Sequence, residues 1–400
     1  MQDLFAEQLK TLRAASLDRH LFEISSPQGP EITVVGRDRR TRRLINFSSN
    51  DYLGLANDPR LREAAISALQ EFGVGAGASR LISGTQPPHV RLERALAEWK
   101  GTEAALCFSS GYAAALGSIP ALVTKNDVVL LDKLCHASLI DAAKLSGARL
   151  RIFPHNNLRK LESHLQWARR EHTGKRVLIV TESVFSMDGD RAPLRDLVQL
   201  KKQFDALLML DEAHAVGVIA RHGRGLAATE NLSDGVDVQM GTLSKALGAG
   251  GGYICGSHDL IEWLINRARS FIYSTAPPPA IAAAALAAVN FLSSSEGEER
   301  RLLLGERIKL MQELLPRTGL NKEQSAVSSA ILPWLVGDEQ AALDLATALK
   351  SEGFLVPAIR YPTVAKGSAR LRTTVTAAHE ENHIRSLCEA IKRLSRGGGA

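Results

Sequence analysis

Seven short apolar runs punctuate the middle of the sequence at spacings that helices would fill: EAALCF from residue 103, DVVLLD from 127, RLRIF from 149, RVLIVT from 176, ALLMLD from 206, VDVQMG from 236 and GGYICG from 251. Strands this uniformly apolar are buried on both faces, and their alternation with helices implies a mostly parallel sheet covered on both sides. The pattern predicts an α/β fold with a mostly parallel seven-stranded sheet in a large domain, residues 56–292.

From residue 293 the rhythm changes. A charged helix (SEGEERRLLLGERIKLMQELL), a strand (SAILPWLV), a helix (DEQAALDLATALKSEG), strands FLVPAI and ARLRTTVT and a closing helix predict a smaller α+β domain over 293–400. Residues 1–55 read as an N-terminal helix and strand segment. Leu4, Phe5, Leu9, Leu12 and Leu17 supply the apolar stripe of a helix within residues 1–20. The closing GGGA, 397–400, reads as disordered.

With 45% hydrophobic and 23% charged residues the chain is of ordinary globular composition. Its four cysteines are scattered without a CxxC pair, and the first residues carry acids where a secretion signal would be basic, so a reducing, cytoplasmic setting is expected. The longest uncharged stretch, residues 276–292, is rich in alanine and begins with three closely placed prolines, which suits a packed helix and no membrane span. Net charge is +6, and RDRRTRR at 37–43 is the densest basic cluster. Flanked by the strand-like ITVVG and LINF and interleaved with no aromatic residue, it reads as a solvated hairpin turn, with no nucleic acid expected as partner.

Ligands of open α/β sheets sit beyond the carboxyl ends of the strands. The run ALLMLD ends at Asp211 and is followed by Glu212, Ala213 and His214; VDVQMG is followed by Thr242, Ser244 and Lys245. DEAH at 211–214 also spells a helicase box, but no phosphate-cradling GxxxxGK[ST] loop accompanies it. HEENH at 379–383 matches a zinc-protease pattern, yet it opens the last helix and only 17 residues follow, so no metal is expected. Neither GVGAGAS nor GAGGG has the strand-loop-helix setting of a dinucleotide loop.

FSSGYAAALGS, 108–118, is stronger. Ser109, Ser110 and Gly111 end a strand and open a helix, where free N–H groups and hydroxyls suit a phosphate; a plain serine N-cap is the competing reading. Lys245 is the one charge in GTLSKALGAGGGY, 241–253, and a lysine is rarely buried without a partner or a task. A phosphate seat, a carboxylate at a strand end, a histidine three residues on and a solitary lysine among glycines together describe a site for pyridoxal 5′-phosphate. The lysine would bond its aldehyde, the carboxylate would keep its ring nitrogen protonated, and the glycines would let backbone approach the ring.

NFSSNDYLGL (46–55), SGYAAAL, DKLCHASLIDAA, TESVFSMDGD, LDEAHAVGVIARHGRG, GTLSKALG, FIYSTAPPP, VPAIRYPTVAKGSARLR and TAAHE occur in order along the chain. In these motifs the sequence resembles the α-oxoamine synthases, pyridoxal-phosphate enzymes of fold type I, the aspartate aminotransferase-like fold. The resemblance implies catalytic roles for Lys245, His136, Asp211 and His214. Lys245 would carry the cofactor, Asp211 would pair with its ring nitrogen, His214 would bond its ring oxygen and His136 would stack on its face. It further implies that Ser110, Gly111 and Tyr112 hold the phosphate from one side and Thr242 and Ser244 from the other, with Ser274 and Thr275 reaching in from a second subunit of a homodimer. Ser186 would lie near the ring oxygen and Glu182 near the reacting centre. Arg19, Asn50, His136, Arg360 and Thr363 would contact substrate, Arg360 by gripping the amino-acid carboxylate. The residues alone leave plainer roles open: a helix cap for His136, a turn for Ser186, a structural ion pair for Glu182.

The family reaction joins a small amino acid to an acyl-CoA thioester with loss of CoA and carbon dioxide. NFSSNDYLGL, FIYSTAPPP and VPAIRYPTV are most similar to the branch that joins L-alanine to a pimeloyl thioester, on CoA or a carrier protein, in biotin synthesis. SSPQGPEITV, 25–34, resembles the glycine-using 2-amino-3-ketobutyrate CoA ligase branch (glycine C-acetyltransferase), and YPTV is similar to 5-aminolevulinate synthase. A catalytically silent partner subunit is the expectation from another class, and such subunits lack the lysine that stands here at 245.

Overall fold

The structure, a computed structural model, describes residues 2–14, 17–36, 38–315 and 329–397. Residues 398–400 of the expected GGGA tail and Arg37 of the basic cluster lie outside the described residues. Strands β1 (Glu23–Ile24), β2 (Glu31–Val35) and β3 (Thr41–Asn46) precede the seven of the main sheet: β4 (Ala104–Phe108), β5 (Val128–Asp132), β6 (Arg149–Phe153), β7 (Val177–Glu182), β8 (Leu207–Asp211), β9 (Val238–Thr242) and β10 (Gly252–Gly256).

The seven apolar runs therefore form one sheet, in the order β4-β10-β9-β8-β7-β5-β6. Only β10 runs against its neighbours, antiparallel to both β4 and β9. The side-chain period of two sends successive residues to opposite faces. Val129, Leu131, Leu178 and Val180 pack with the helices Gly111–Leu122, Ala137–Leu145 and His258–Arg267, whereas Val128, Leu130, Val177 and Ile179 pack with Leu158–Glu171 and Leu194–Gln203. Both faces of the inner strands are thus dry, which is why their sequences show no polar alternation; the edge strand β6, RLRIF, is partly exposed and carries two arginines. The alanine-rich stretch forms the helix Pro279–Ser293, buried against Pro59–Phe72 and Pro87–Lys100. Among the described residues no single helix is long and apolar enough to cross a membrane; Pro279–Ser293 and Ser295–Leu314 reach that length only as a pair bent by 78°.

Two small sheets flank the large one. β11 (Ile331–Gly337), β14 (Ala369–Thr374) and β13 (Ala358–Ile359) form the order β11-β14-β13, and β12 (Phe354–Leu355) completes the order β1-β2-β3-β12. FLVPAI, expected as one strand, is two: Phe354–Leu355 pairs parallel to β3 and Ala358–Ile359 antiparallel to β14. Pro357 between them has no N–H to give to a ladder, while its carbonyl still accepts from Arg372.

The hairpin expected at 37–43 joins β2 to β3, with the Gly36 N–H donating to the Arg40 carbonyl. Helix α1 (Gln2–Ala14) stops before Leu17, and Phe5, Leu9 and Leu12 of its expected stripe are exposed by 60, 44 and 41%. In the HEENH segment, His379 stacks on Phe47 at 4.3 Å between ring centroids and its Nδ1 accepts the Thr376 N–H, while His383 Nδ1 accepts the Glu380 N–H. Both rings cap local backbone.

Candidate active site

At the carboxyl ends of the parallel strands lies a cavity of about 220 Å³ lined by Ser110, Gly111, Tyr112, His136, Ser138, Glu182, Asp211, Ala213, His214, Met240, Thr242, Ser244 and Lys245. Residues from five separate strand-to-helix or strand-to-loop junctions meet here, as an open α/β sheet dictates. Ser110 caps the helix Gly111–Leu122: its Oγ accepts the Ala113 N–H at 3.0 Å and its carbonyl the Ala114 N–H. The N–H groups of Gly111 and Tyr112 have no acceptor within the helix and border the cavity. Opposite them, Thr242 Oγ1 and Ser244 Oγ lie 2.8 Å apart. The Tyr112 hydroxyl is turned away from any such role, donating to Asp141 at 2.6 Å.

Two of the glycines in 241–253 lie against backbone. A Cβ on Gly248, whose φ is +64°, would lie 2.4 Å from the Leu55 carbonyl carbon, and one on Gly252 would lie 2.5 Å from the Ser110 carbonyl oxygen. They permit backbone to approach backbone, Gly252 at the start of the helix Gly111–Leu122.

Asp211 ends β8, where its Oδ1 accepts the Ala213 N–H at 2.9 Å. Glu182 ends the neighbouring β7 and accepts the His136 N–H. Burial pushes both carboxyls upward; the charge of Asp211 adds to the rise at Glu182, and Lys245 opposes it at both. Burial pulls the Lys245 amine below the ordinary lysine value, against the attraction of Asp211 and Glu182. Lys245 is thus the cation that acts on both buried acids. Burial also depresses His136, with Lys245 adding to the effect, and holds His214 well below the usual imidazole value. His136 caps the helix Ala137–Leu145, its Nδ1 lying 2.8 Å from Ser138 Oγ, so the cap reading and a place in the cavity are both realised.

The other expected site residues lie outside the lining. Asn50 and Ser186 stand behind it, joined by Arg372: Nη2 donates to Asn50 Oδ1 at 3.1 Å and Nε to the Ser186 carbonyl at 2.6 Å. Arg372 is 5% exposed, and its charge acts on both His214 and Lys245. Sequence reasoning singled out Arg360 from the same motif and passed over Arg372. Arg360 and Thr363 sit together in the segment after β13, where the Thr363 N–H donates to the Arg360 carbonyl, and neither lines the cavity. Arg19 and Thr275 are exposed, Thr275 bridging to Ser79, and Ser274 is half-buried. No local signal marks Arg372: Arg370 and Arg372, two residues apart in ARLRTT, lie on the same face of β14, and only Arg372 is buried.

Pyridoxal 5′-phosphate fits this donor set. The seat of helix N–H groups and hydroxyls takes a dianionic phosphate, the amine takes an aldehyde, and the buried Asp211 carboxyl suits a protonated ring nitrogen.

The model of the family "aminotransferase class I and II" matches residues 42–391. The 8-amino-7-oxononanoate synthase of Geobacter sulfurreducens is 46% identical over 98% of this chain and 97% of its own length. A serine palmitoyltransferase from S. paucimobilis, solved with a bound PLP–myriocin adduct, superposes with a TM-score of 0.90 at 30% identity, covering 99% of this chain and 98% of that one. The 8-amino-7-oxononanoate synthase of Francisella tularensis gives a TM-score of 0.76 at 28% identity over 89% of this chain and 99% of that one. The chain belongs to the class I and II aminotransferase family, in its α-oxoamine synthase group, and has the fold-type I architecture. Its cofactor is pyridoxal 5′-phosphate.

Proposed function

We propose that this protein condenses L-alanine with a pimeloyl thioester, releasing the thiol and carbon dioxide and forming 8-amino-7-oxononanoate for biotin synthesis. The observation that carries the reading is the full-length 46% identity to a relative of that name, joined to a cavity in which lysine, two acids and two histidines converge. The protein is proposed to work in the cytoplasm as a homodimer. Residues 56–292 are proposed to hold the cofactor and residues 293–400 to form the smaller unit, tied to the segment 1–55 through the β3–β12 pairing.

Ser110, Gly111, Tyr112, Thr242 and Ser244 would hold the cofactor phosphate, Asp211 its ring nitrogen, His214 its ring oxygen, His136 its face and Lys245 its aldehyde. When bound, the cofactor supplies a ring that accepts the electron pair left as bonds to the amino acid's Cα break. The Lys245 amine, drawn toward neutrality by burial, is the base that takes the Cα proton and later returns one. Asp211, its position fixed by the Ala213 N–H, would keep the ring nitrogen protonated. His136 is held by Ser138 with its ring in the cavity, where it would polarise the thioester oxygen. Arg372, whose Nε, Nη1 and Nη2 donate to the Ser186 carbonyl, Thr374 Oγ1 and Asn50 Oδ1, is proposed beside Arg360 as a cation for the alanine carboxylate, its charge already acting on Lys245 and His214. Glu182 fixes the His136 backbone. Ser274 and Thr275, outside the cavity of their own chain, are proposed to complete the partner's phosphate seat, and Arg19 and Thr363 to meet the acyl chain.

A substrate matrix tests the reading: alanine, glycine and serine crossed with pimeloyl, acetyl, succinyl and palmitoyl thioesters, with release of the thiol recorded. Alanine with pimeloyl-CoA or pimeloyl-carrier protein is expected to react fastest. Faster turnover of glycine with acetyl-CoA would overturn the assignment. The purified protein is expected to be yellow, and Lys245→Ala should lower kcat by about 10²- to 10⁴-fold, the usual worth of a general base.

A further inference from the structure

His214 meets the cavity with one edge and a buried tyrosine with the other. Its Nδ1 lies 2.5 Å from Tyr52 Oη; Tyr52 is 0% exposed and does not line the cavity. A contact that short between two neutral groups must hold a hydrogen, and two arrangements supply it. Either Tyr52 donates to Nδ1, leaving the ring hydrogen on Nε2, or Nδ1–H donates to Tyr52, whose own hydrogen then turns to Asn50 Oδ1. Both groups are neutral near pH 7, since burial raises the phenol to about 12 and depresses the imidazole.

The distances choose between them. Tyr52 Oη lies 3.3 Å from Asn50 Oδ1, a far weaker contact than the one to Nδ1. Asn50 Oδ1 already accepts from Arg372 Nη2 at 3.1 Å, which orients the amide and lessens its need for a second donor. We propose that Tyr52 acts as a positioning residue that fixes His214 as the Nε2–H tautomer, so that the imidazole presents a hydrogen-bond donor, and never an acceptor, to the cavity. A donor is what an oxygen carrying negative charge on a bound ring requires, and an acceptor there would repel it. The chain Arg372–Asn50–Tyr52–His214 thereby links the proposed carboxylate grip to the polarity of the opposite wall. The purpose of the tautomer rests on the cofactor reading above; its existence does not.

The test uses cofactor-free protein labelled with ¹⁵N-histidine, in which long-range ¹H–¹⁵N correlation distinguishes the two tautomers and His214→Gln assigns the signal. Expected is a His214 signal with protonated Nε2 and bare Nδ1 at pH 7, and a mixture of tautomers in Tyr52→Phe. A His214 found with its hydrogen on Nδ1, or a Tyr52→Phe spectrum identical to the parent, would overturn the proposal. The parent spectrum decides the matter even if the variant folds poorly. With cofactor and substrates added, Tyr52→Phe is expected to lose about tenfold in kcat with little change in KM for alanine, within the 10- to 100-fold usual for an outer partner of a site histidine. Failure of the parent to bind pyridoxal phosphate would instead overturn the cofactor reading and leave the tautomer standing.

Discussion

Lys100 and Glu212 form an ion pair with side chains exposed by only 1 and 0%, deeper than the Lys245 amine that the sequence singles out. The Lys100 amine also donates to the Arg224 carbonyl, and Glu212 Oε1 accepts the Ala227 N–H at 3.1 Å. The pair ties the end of the helix Pro87–Lys100 to the loop that follows Asp211.

Removing one partner strands the other charge in a dry site. Lys100→Ala is expected to destabilise the protein by about 3–5 kcal/mol, whereas Lys100→Met with Glu212→Leu should recover much of the loss. Urea midpoints of the three proteins check this; a single variant as stable as the parent would refute it.

His155 bridges two buried aspartates, 3.0 Å from Asp132 and 2.7 Å from Asp190, and these bonds outweigh burial to raise its pKa to about 10. The folded value lies above the ordinary one near 6.5, so the stabilisation is complete below about pH 6.5 and is lost as pH rises through about 10. The Tm difference between the parent and His155→Gln should therefore shrink steadily between pH 7 and pH 10.5. A difference that grows over that range would contradict the assignment.

Arg372 and Arg360 are distinguished by kinetics. Each charged hydrogen bond to a carboxylate is worth about 1.5–3 kcal/mol, so Arg372→Lys should raise KM for alanine by about tenfold to a hundredfold. Arg360→Lys should change it by less than about twofold, as befits the less buried of the two, whose charge acts on neither Lys245 nor His214. The reverse ranking would restore the role that the sequence motif suggests for Arg360.

Gly252→Ala places a methyl 2.5 Å from the Ser110 carbonyl oxygen, against backbone that cannot swing aside. Overpacking of this kind costs about 1–3 kcal/mol, and here it should push the helix start out of the phosphate seat. A weakened affinity for pyridoxal phosphate, read by titrating absorbance, is the expected sign; unchanged affinity would show that the seat is not set by this contact.

The main sheet was legible because most of its seven strands are apolar at nearly every position, a pattern that survives reading without neighbours; the edge strand β6, with Arg149 and Arg151, is the exception. Lys245, Asp211, His214 and Ser110 were legible because they sit where such strands stop. Lys100 was not, since its partner is 112 residues away and nothing local marks either as buried. Arg372 was hidden by Arg360 in the same motif, and only the depth at which the fold buries each separates them. Division of FLVPAI depended on a proline whose meaning required knowing that two sheets end there. The apolar stripe of α1 was visible in the sequence, yet its exposure is a property of the folded single chain.

That divided segment has a mechanical corollary. Four residues, 354–355 and 358–359, clip an early hairpin to a late sheet, so residues 31–46 and 331–374 shift as one piece whenever either is displaced. A chain shortened to begin after residue 46 would leave Phe354–Leu355 as a naked edge, ready to pair with a stranger.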